Sequence, residues 1–330
     1  MVVTQGVRLS RQFRAEGYGV LVLSTKLNRY MRLLDIVSNL AWRGGTLDLV
    51  IVHVYGGPSF VVEDAASGLA RMRGTPVVMV LHGGALPSFF RRFPAWSKRV
   101  LSRASAIVTP SPYLHRAAES LGLKARVIPN FIDVAAYPFR ERARLRPRMF
   151  WMRTFDPDYN PLMAVEVLRR VRERRPEAAL MMRGQEKGME AEVRRLADEH
   201  GLAGALDLGG FADQKAKTRA AEWADIFIST SHIDNMPVAV VEAAAMGMPV
   251  VCTAVGGVPD LLTHESTGML VPDGDAAAMA EAVLRLLDNP DLAGRLSRGG
   301  RELARKSSWE SVRAQWEALF AEVRSPGGRR

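Results

Sequence analysis

A single acid stands in an apolar run between Val238 and Met246, where every residue except Glu242 is Val, Ala or Met. A run that is hydrophobic on every side reads as a buried helix, so the Glu242 carboxylate needs a bonding partner to offset several kcal/mol of desolvation. Pro237 suits the first helical position, and Asp234 or Asn235 suits the cap before it. The helix then starts with its free N–H groups pointing outward, an end that attracts anions. Asp234 and Glu242 lie eight residues apart, about 12 Å along a helix axis at about 1.5 Å per residue. A ligand touching both acids is long, with its negative charge near the helix start. The plain structural alternative makes Asp234 an N-cap and Glu242 a buried structural acid.

These residues must be positioned by an α/β framework. Short β-branched apolar runs alternate with amphipathic stretches, the pattern of mostly parallel sheets. Strands are expected at Gly19–Ser24, Leu49–Val54, Pro76–His82, Ala106–Thr109 and Ala125–Ile128 in the first half. In the second half they are expected at Arg148–Arg153, Ala178–Arg183, Ala205–Gly209, Asp225–Ser229, Pro249–Thr253 and Met269–Val271. Each half reads as a doubly wound, Rossmann-like domain, with the boundary in the polar stretch near Ala135–Pro147. The terminal Ser325–Arg330 reads as disordered.

The two acids, on and just before such a helix and followed by Gly247-Met248-Pro249-Val250-Val251, resemble the retaining glycosyltransferases of family 4 (glycosyl transferases group 1), which have the two-domain GT-B fold. The resemblance extends over nearly the whole chain. Val127-Ile128-Pro129-Asn130-Phe131-Ile132-Asp133 is similar to the family's linking segment, and Thr253–Asp260, with Gly256 and Gly257, to its phosphate-side loop. Gly268–Asp275 and Ser308-Trp309-Glu310 match its C-terminal pattern. The resemblance implies an acceptor-side domain over 1–140, a nucleotide-sugar domain over 141–308, and a crossing helix with tail over 309–330, the two Rossmann-like domains facing across a cleft.

By the same resemblance, Glu242 holds the ribose of a nucleoside diphosphate-sugar, and Asp234, one methylene shorter than the family's Glu, contacts the transferred sugar. Asn235, Met236 and Val238 line the helix start beside the diphosphate. Arg153 matches the family's diphosphate-binding Arg. The Lys that usually follows is replaced here by Asn160-Pro161, so Arg183 and Lys187 are the candidates to supply charge instead. Glycines just after strands let a ligand approach the backbone, which singles out Gly83 and Gly84. His82 before them is a candidate for the sugar or acceptor hydroxyl, and Gly6 resembles the glycine of the family's first loop. Catalytic roles are thus expected for His82, Asp234 and Arg153.

The function implied is transfer of a sugar from a nucleoside diphosphate-sugar to a glycan or lipid-linked hydroxyl. Two alternatives stand beside it: a catalytically impaired homologue that binds a nucleotide-sugar or glycan, and a GT-B-fold nucleotide-sugar epimerase. No cofactor or metal is expected, because the six His show no paired spacing with Asp, Glu or Cys. Cys252 is the one cysteine, so the chain holds no internal disulfide, which suits the cytoplasm. No apolar run approaches the ~20 residues that span a bilayer.

Charge divides unevenly. Residues 1–150 hold 22 Lys+Arg against 8 Asp+Glu, a net of +14, whereas the remainder holds 23 against 27, a net of −4. Basic and aromatic residues alternate in Phe89–Arg103, a pattern suited to an anionic membrane surface, and no module for nucleic acid is present. The expected location is therefore cytoplasmic, peripheral on the inner face of the membrane. Only Met1-Val2-Val3 precede the loop segment Thr4-Gln5-Gly6, too few for a strand of about five residues. The first strand of this domain is accordingly expected to be missing, leaving an unfilled slot and exposed strand edges.

Overall fold

The computed structural model describes residues 5–23 and 28–324, arranged as two compact units. One comprises residues 1–130 together with 312–330, and the other residues 131–311. The contact boundary falls at 130/131, because Ile132 and Tyr137 are buried in a core of the second unit.

The first unit carries a four-stranded parallel sheet: β1 (Val50–Val54), β2 (Val77–Leu81), β3 (Ala106–Thr109) and β4 (Arg126–Val127), in spatial order β1-β2-β3-β4. β2 is buried along its whole length, as its unbroken Val-Val-Met-Val-Leu requires. β1 alternates buried and half-buried positions and lies at the sheet edge. Among the described residues nothing pairs with its outer side. A cavity of about 730 Å³ borders it, lined by Val50, Val52, Leu9, Phe13, Leu23 and Leu40 with others.

This edge explains one correction. Residues 19–23 form no strand, although their sequence is strand-like, and Ser24 lies outside the described residues. The Val20 carbonyl instead accepts a hydrogen bond from the Arg14 guanidinium at 3.0 Å. Met1–Thr4, where the first strand is expected to be missing, and the tail Ser325–Arg330 also lie outside the described residues. The C-terminal helix Trp309–Arg324 places Trp316 and Phe320 against Phe13 in the first unit.

The second unit carries a six-stranded parallel sheet: β5 (Arg148–Met152), β6 (Ala179–Arg183), β7 (Leu206–Gly209), β8 (Ile226–Ser229), β9 (Val250–Thr253) and β10 (Met269–Val271). Their spatial order is β10-β9-β8-β5-β6-β7, so the winding reverses between β5 and β8. In open parallel sheets the ligand crevice lies at the carboxyl ends of the two strands flanking such a reversal. One core packs Trp151, Leu180 and Ile228 with the helices Pro161–Arg174 and Ala276–Asp288, and another packs Phe150 and Phe227 with the helix Val238–Ala245.

The linking stretch is not merely polar connection. Asp225, nearly fully buried, gathers Arg140 at 2.6 Å, Arg146 at 2.8 Å and the buried Arg142 at 3.4 Å. Arg142 also donates to the Met246 carbonyl, satisfying an acceptor at the end of the helix Val238–Ala245.

Candidate active site

Arg153 and Asp234 sit just beyond β5 and β8, the strands that flank the reversal. Their side chains form an ion pair, each mostly buried. The Arg153 guanidinium lies 4.8 Å over the Tyr159 ring. Burial pulls its pKa below the usual guanidinium value, while Tyr159, Cys252 and Glu242 oppose that shift. Its Nε is buried without a hydrogen-bond partner, as is the hydroxyl of Ser231 after β8.

Backbone packing fixes this pair from both sides. A Cβ on Gly184, after β6, would lie 1.7 Å from the Arg153 carbonyl oxygen. Gly256, at φ +52°, passes so close to the Asp234 carbonyl that a Cβ would lie 1.9 Å from it, and Gly257 N–H donates to the same oxygen at 3.0 Å. Only glycine fits either position.

The helix beyond begins at Val238, with Pro237 rather than Asp234 or Asn235 at its cap and no side chain capping it. This moves the expected cap by two residues from Asn235 or three from Asp234. Asp234 instead holds Arg153 and accepts from the Asn235 N–H at 2.9 Å. Asn235 and Met236 are buried beside it and Val238 is half-buried.

Glu242 is buried, and the partners that burial demands are Tyr137, whose hydroxyl donates to Oε1 at 2.7 Å, and Lys217, whose ammonium donates to Oε2 at 2.6 Å. The sequence reading missed both. They lie 105 and 25 residues from Glu242, with no periodic signal joining them.

Two candidate cations fall elsewhere. Arg183 turns to Asp207, pairing with its carboxylate at 2.6 Å, so it does not join Arg153. Lys187 is exposed and stands 4.0 Å from Asp156. Asn160, where the family has a Lys, caps the helix Pro161–Arg174 through its side-chain oxygen, in a left-handed conformation at φ +45°.

In the first unit His82 follows β2, and its Nε2 lies 2.7 Å from Nδ1 of His53 near the end of β1. Burial lowers the pKa of His53 to about 4, and burial with the neighbouring His53 lowers that of His82 to about 3. Tyr55 stacks on His82 with centroids 5.2 Å apart. Gly83 lies under Tyr55, where a Cβ would meet the Tyr55 carbonyl at 2.6 Å, and Gly84 accepts from the Tyr113 hydroxyl at 3.2 Å. Gly6 lies in the first turn of the helix Gln5–Ala15, and a Cβ there would meet His53 Nε2 at 2.8 Å. The structure thus brings Gly6, His82 and Gly83 together around His53, which the sequence reading missed although it is the one polar residue in its strand.

Comparison with known proteins also divides the chain into two parts. Residues 2–136 match Glycosyltransferase Family 4 and residues 140–303 match Glycosyl transferases group 1. The phosphatidyl-myo-inositol mannosyltransferase of Mycolicibacterium smegmatis is 30% identical over 299 residues, covering 86% of this chain and 73% of that one. The glycogen synthase of Mycobacterium tuberculosis is 25% identical over 303 residues, covering 86% and 70%. In structure, HepE of Anabaena, solved with UDP, aligns at a TM-score of 0.76 and 15% identity over 96% of this chain and 89% of that chain, a likeness of fold. With two parallel-sheet units, a buried Arg–Asp pair at the strand reversal and this similarity along nearly its full length, the chain belongs to the GT-B glycosyltransferases.

Proposed function

We propose that the protein is a retaining glycosyltransferase that moves a hexose from a nucleoside diphosphate-sugar to a hydroxyl of a glycan or lipid-linked acceptor. The observation that carries this reading is the buried Arg153–Asp234 pair, with an unpartnered guanidinium donor, at an uncapped helix start and the reversal of the sheet. Without ligand the two charges neutralise each other. A donor sugar offers each a better partner at once: its diphosphate for Arg153 and its hydroxyls for Asp234. Exchanging one ion pair for two sets of charge-assisted bonds avoids leaving either charge buried alone. Glu242 is assigned to the ribose and His82 to the sugar or acceptor hydroxyl.

Catalysis in this reading rests on stabilising the departing diphosphate and on positioning, with no covalent nucleophile. Arg153, the N–H groups at the start of the helix Val238–Ala245 and the Gly256-Gly257 loop carry the negative charge, so we expect turnover to persist in a chelator. Loss of turnover restored by Mn²⁺ or Mg²⁺ would reassign that role. A thermal-shift screen of UDP-, GDP- and ADP-sugars, followed by nucleoside diphosphate release from those that bind, tests the function. Affinity without release or transfer would favour a nucleotide-sugar binder over an enzyme.

A further inference from the structure

The contact between His53 and His82 has a consequence for His82, and the inference rests on the role assigned to His82 above. A 2.7 Å approach between two imidazole nitrogens holds one proton, donated by one ring and accepted by the other. Two protons there would oppose each other, and none would set two lone pairs together. Burial keeps both rings neutral, so each carries a single proton, and the nitrogen that bears it on one ring dictates the nitrogen on the other.

His53 has little freedom to leave this contact. Its Nε2 side faces the Gly6 backbone, so close that a Cβ there would meet Nε2 at 2.8 Å and push the ring aside. Its own backbone is held in register with Val80 of β2. His82 is fixed in turn by its backbone N–H, which donates to the Val54 carbonyl at 2.9 Å, and by the Tyr55 ring stacked 21° from its ring plane. The Tyr55 N–H is itself anchored on Glu63 at 3.0 Å. A strand position needing only apolar filling would take Val or Ile, as its neighbours do, without the cost of desolvating an imidazole.

We propose that His53 is a positioning residue for His82, fixing its ring plane and the nitrogen on which it carries its proton. His82 then meets the donor or acceptor in one prepared state, and no rotamer or tautomer search precedes reaction. The role belongs to no ligand contact of His53 itself.

The test joins spectroscopy and kinetics on the full chain. Long-range ¹H–¹⁵N spectra of the ligand-free protein should show His82 as a single neutral tautomer; an averaged mixture in the parent would overturn the proposal without any variant. His53→Leu should release that tautomer and lower kcat by about 10–100-fold, with the donor KM within about twofold, assayed as nucleoside diphosphate release from UDP-glucose, UDP-N-acetylglucosamine, GDP-mannose and ADP-glucose. His53→Asn, whose amide reaches the place of Nδ1, should restore kcat to within about threefold. Parental kcat in His53→Leu, or an equal loss in both variants, would overturn it. His82→Ala separates the two readings: if that variant is fully active, the role of His82 fails, whereas an inactive His82→Ala beside a fully active His53→Leu sinks only the role of His53.

Discussion

Burial pushes the Glu63 carboxyl up to about 7, against the bonds from the Tyr55 N–H and the Ser59 hydroxyl that pull it down. Its Oε2 is buried without a partner, which suits a carboxylic acid better than a carboxylate. The folded state therefore holds a proton that the unfolded chain releases near pH 4.5, and stability falls as pH rises from there to about 7. The histidines slope the other way. With folded values of about 4 and 3 against 6.5 unfolded, His53 and His82 stay neutral where the unfolded chain is charged, and stability falls as pH drops below 6.5. Glu63→Gln should raise stability at pH 8 by up to about 3 kcal/mol and leave it unchanged at pH 4.5. Thermal melts at the two pH values check this; equal shifts at both would mean that Glu63 is ionised when folded. Glu242 differs in that both its oxygens are bonded. Glu242→Gln leaves the Lys217 ammonium buried beside an amide, so it should cost about 3 kcal/mol of stability as well as donor affinity. Adding Lys217→Met should recover much of the stability and none of the affinity, measured by melts and donor titration. Recovery of both would make Glu242 a structural acid.

At the scale of elements, strands were legible and their ends were not. Ten of the eleven expected strands form, because short β-branched apolar runs between polar stretches announce themselves by composition, whether buried throughout as in β2 or only partly as in β1 and β7. Gly19–Leu23 does not, since a strand also needs a neighbour, and sequence pattern says nothing of what lies beside an edge. The helix at Val238 was read correctly as buried, yet its cap was misplaced because Asp234 has a stronger bond to make with Arg153 than with free N–H groups. Lys217, Tyr137 and His53 escaped notice for a related reason: each acts through a partner distant in sequence. The glycines do better, since a residue without a side chain after a strand hints at close backbone approach. Gly184→Ala and Gly256→Ala test that hint. Either methyl would force apart the loops that hold Arg153 and Asp234, and the second also strains a positive φ. Each should weaken donor binding at least about tenfold, with ΔG of unfolding reduced by about 1–3 kcal/mol. Parental donor affinity in Gly184→Ala would separate that loop from the site.

Over the whole molecule, the excess of positive charge lies in residues 1–150, and the structure divides the basic stretch at Phe89–Arg103 in two. Most of its aromatic part faces inward: Phe90 is buried, and Phe60 packs against Phe89 at 4.8 Å and Trp96 at 4.9 Å, whereas Phe93 is exposed beside Arg92. Asp64 collects the Trp96 N–H at 2.7 Å and the guanidinium groups of Arg99 and Arg103 at 2.6 Å each. Arg91, Arg92 and Lys98 remain exposed. An anionic surface can therefore be met here chiefly by charge, with Phe93 the one exposed ring of the stretch, so attachment should be mainly electrostatic. Vesicles containing phosphatidylserine should bind the protein at low salt and release it as ionic strength rises past about 0.15 M, where the Debye length is about 8 Å. Neutralising Arg91, Arg92 and Lys98 should weaken binding by about 1 kcal/mol per charge, whereas neutralising Arg99 should weaken it less and lower stability, because it loses its bond to Asp64. Sedimentation with vesicles at graded salt measures both. Equal binding to neutral phosphatidylcholine vesicles, or binding indifferent to salt, would show that charge does not bring this protein to a membrane.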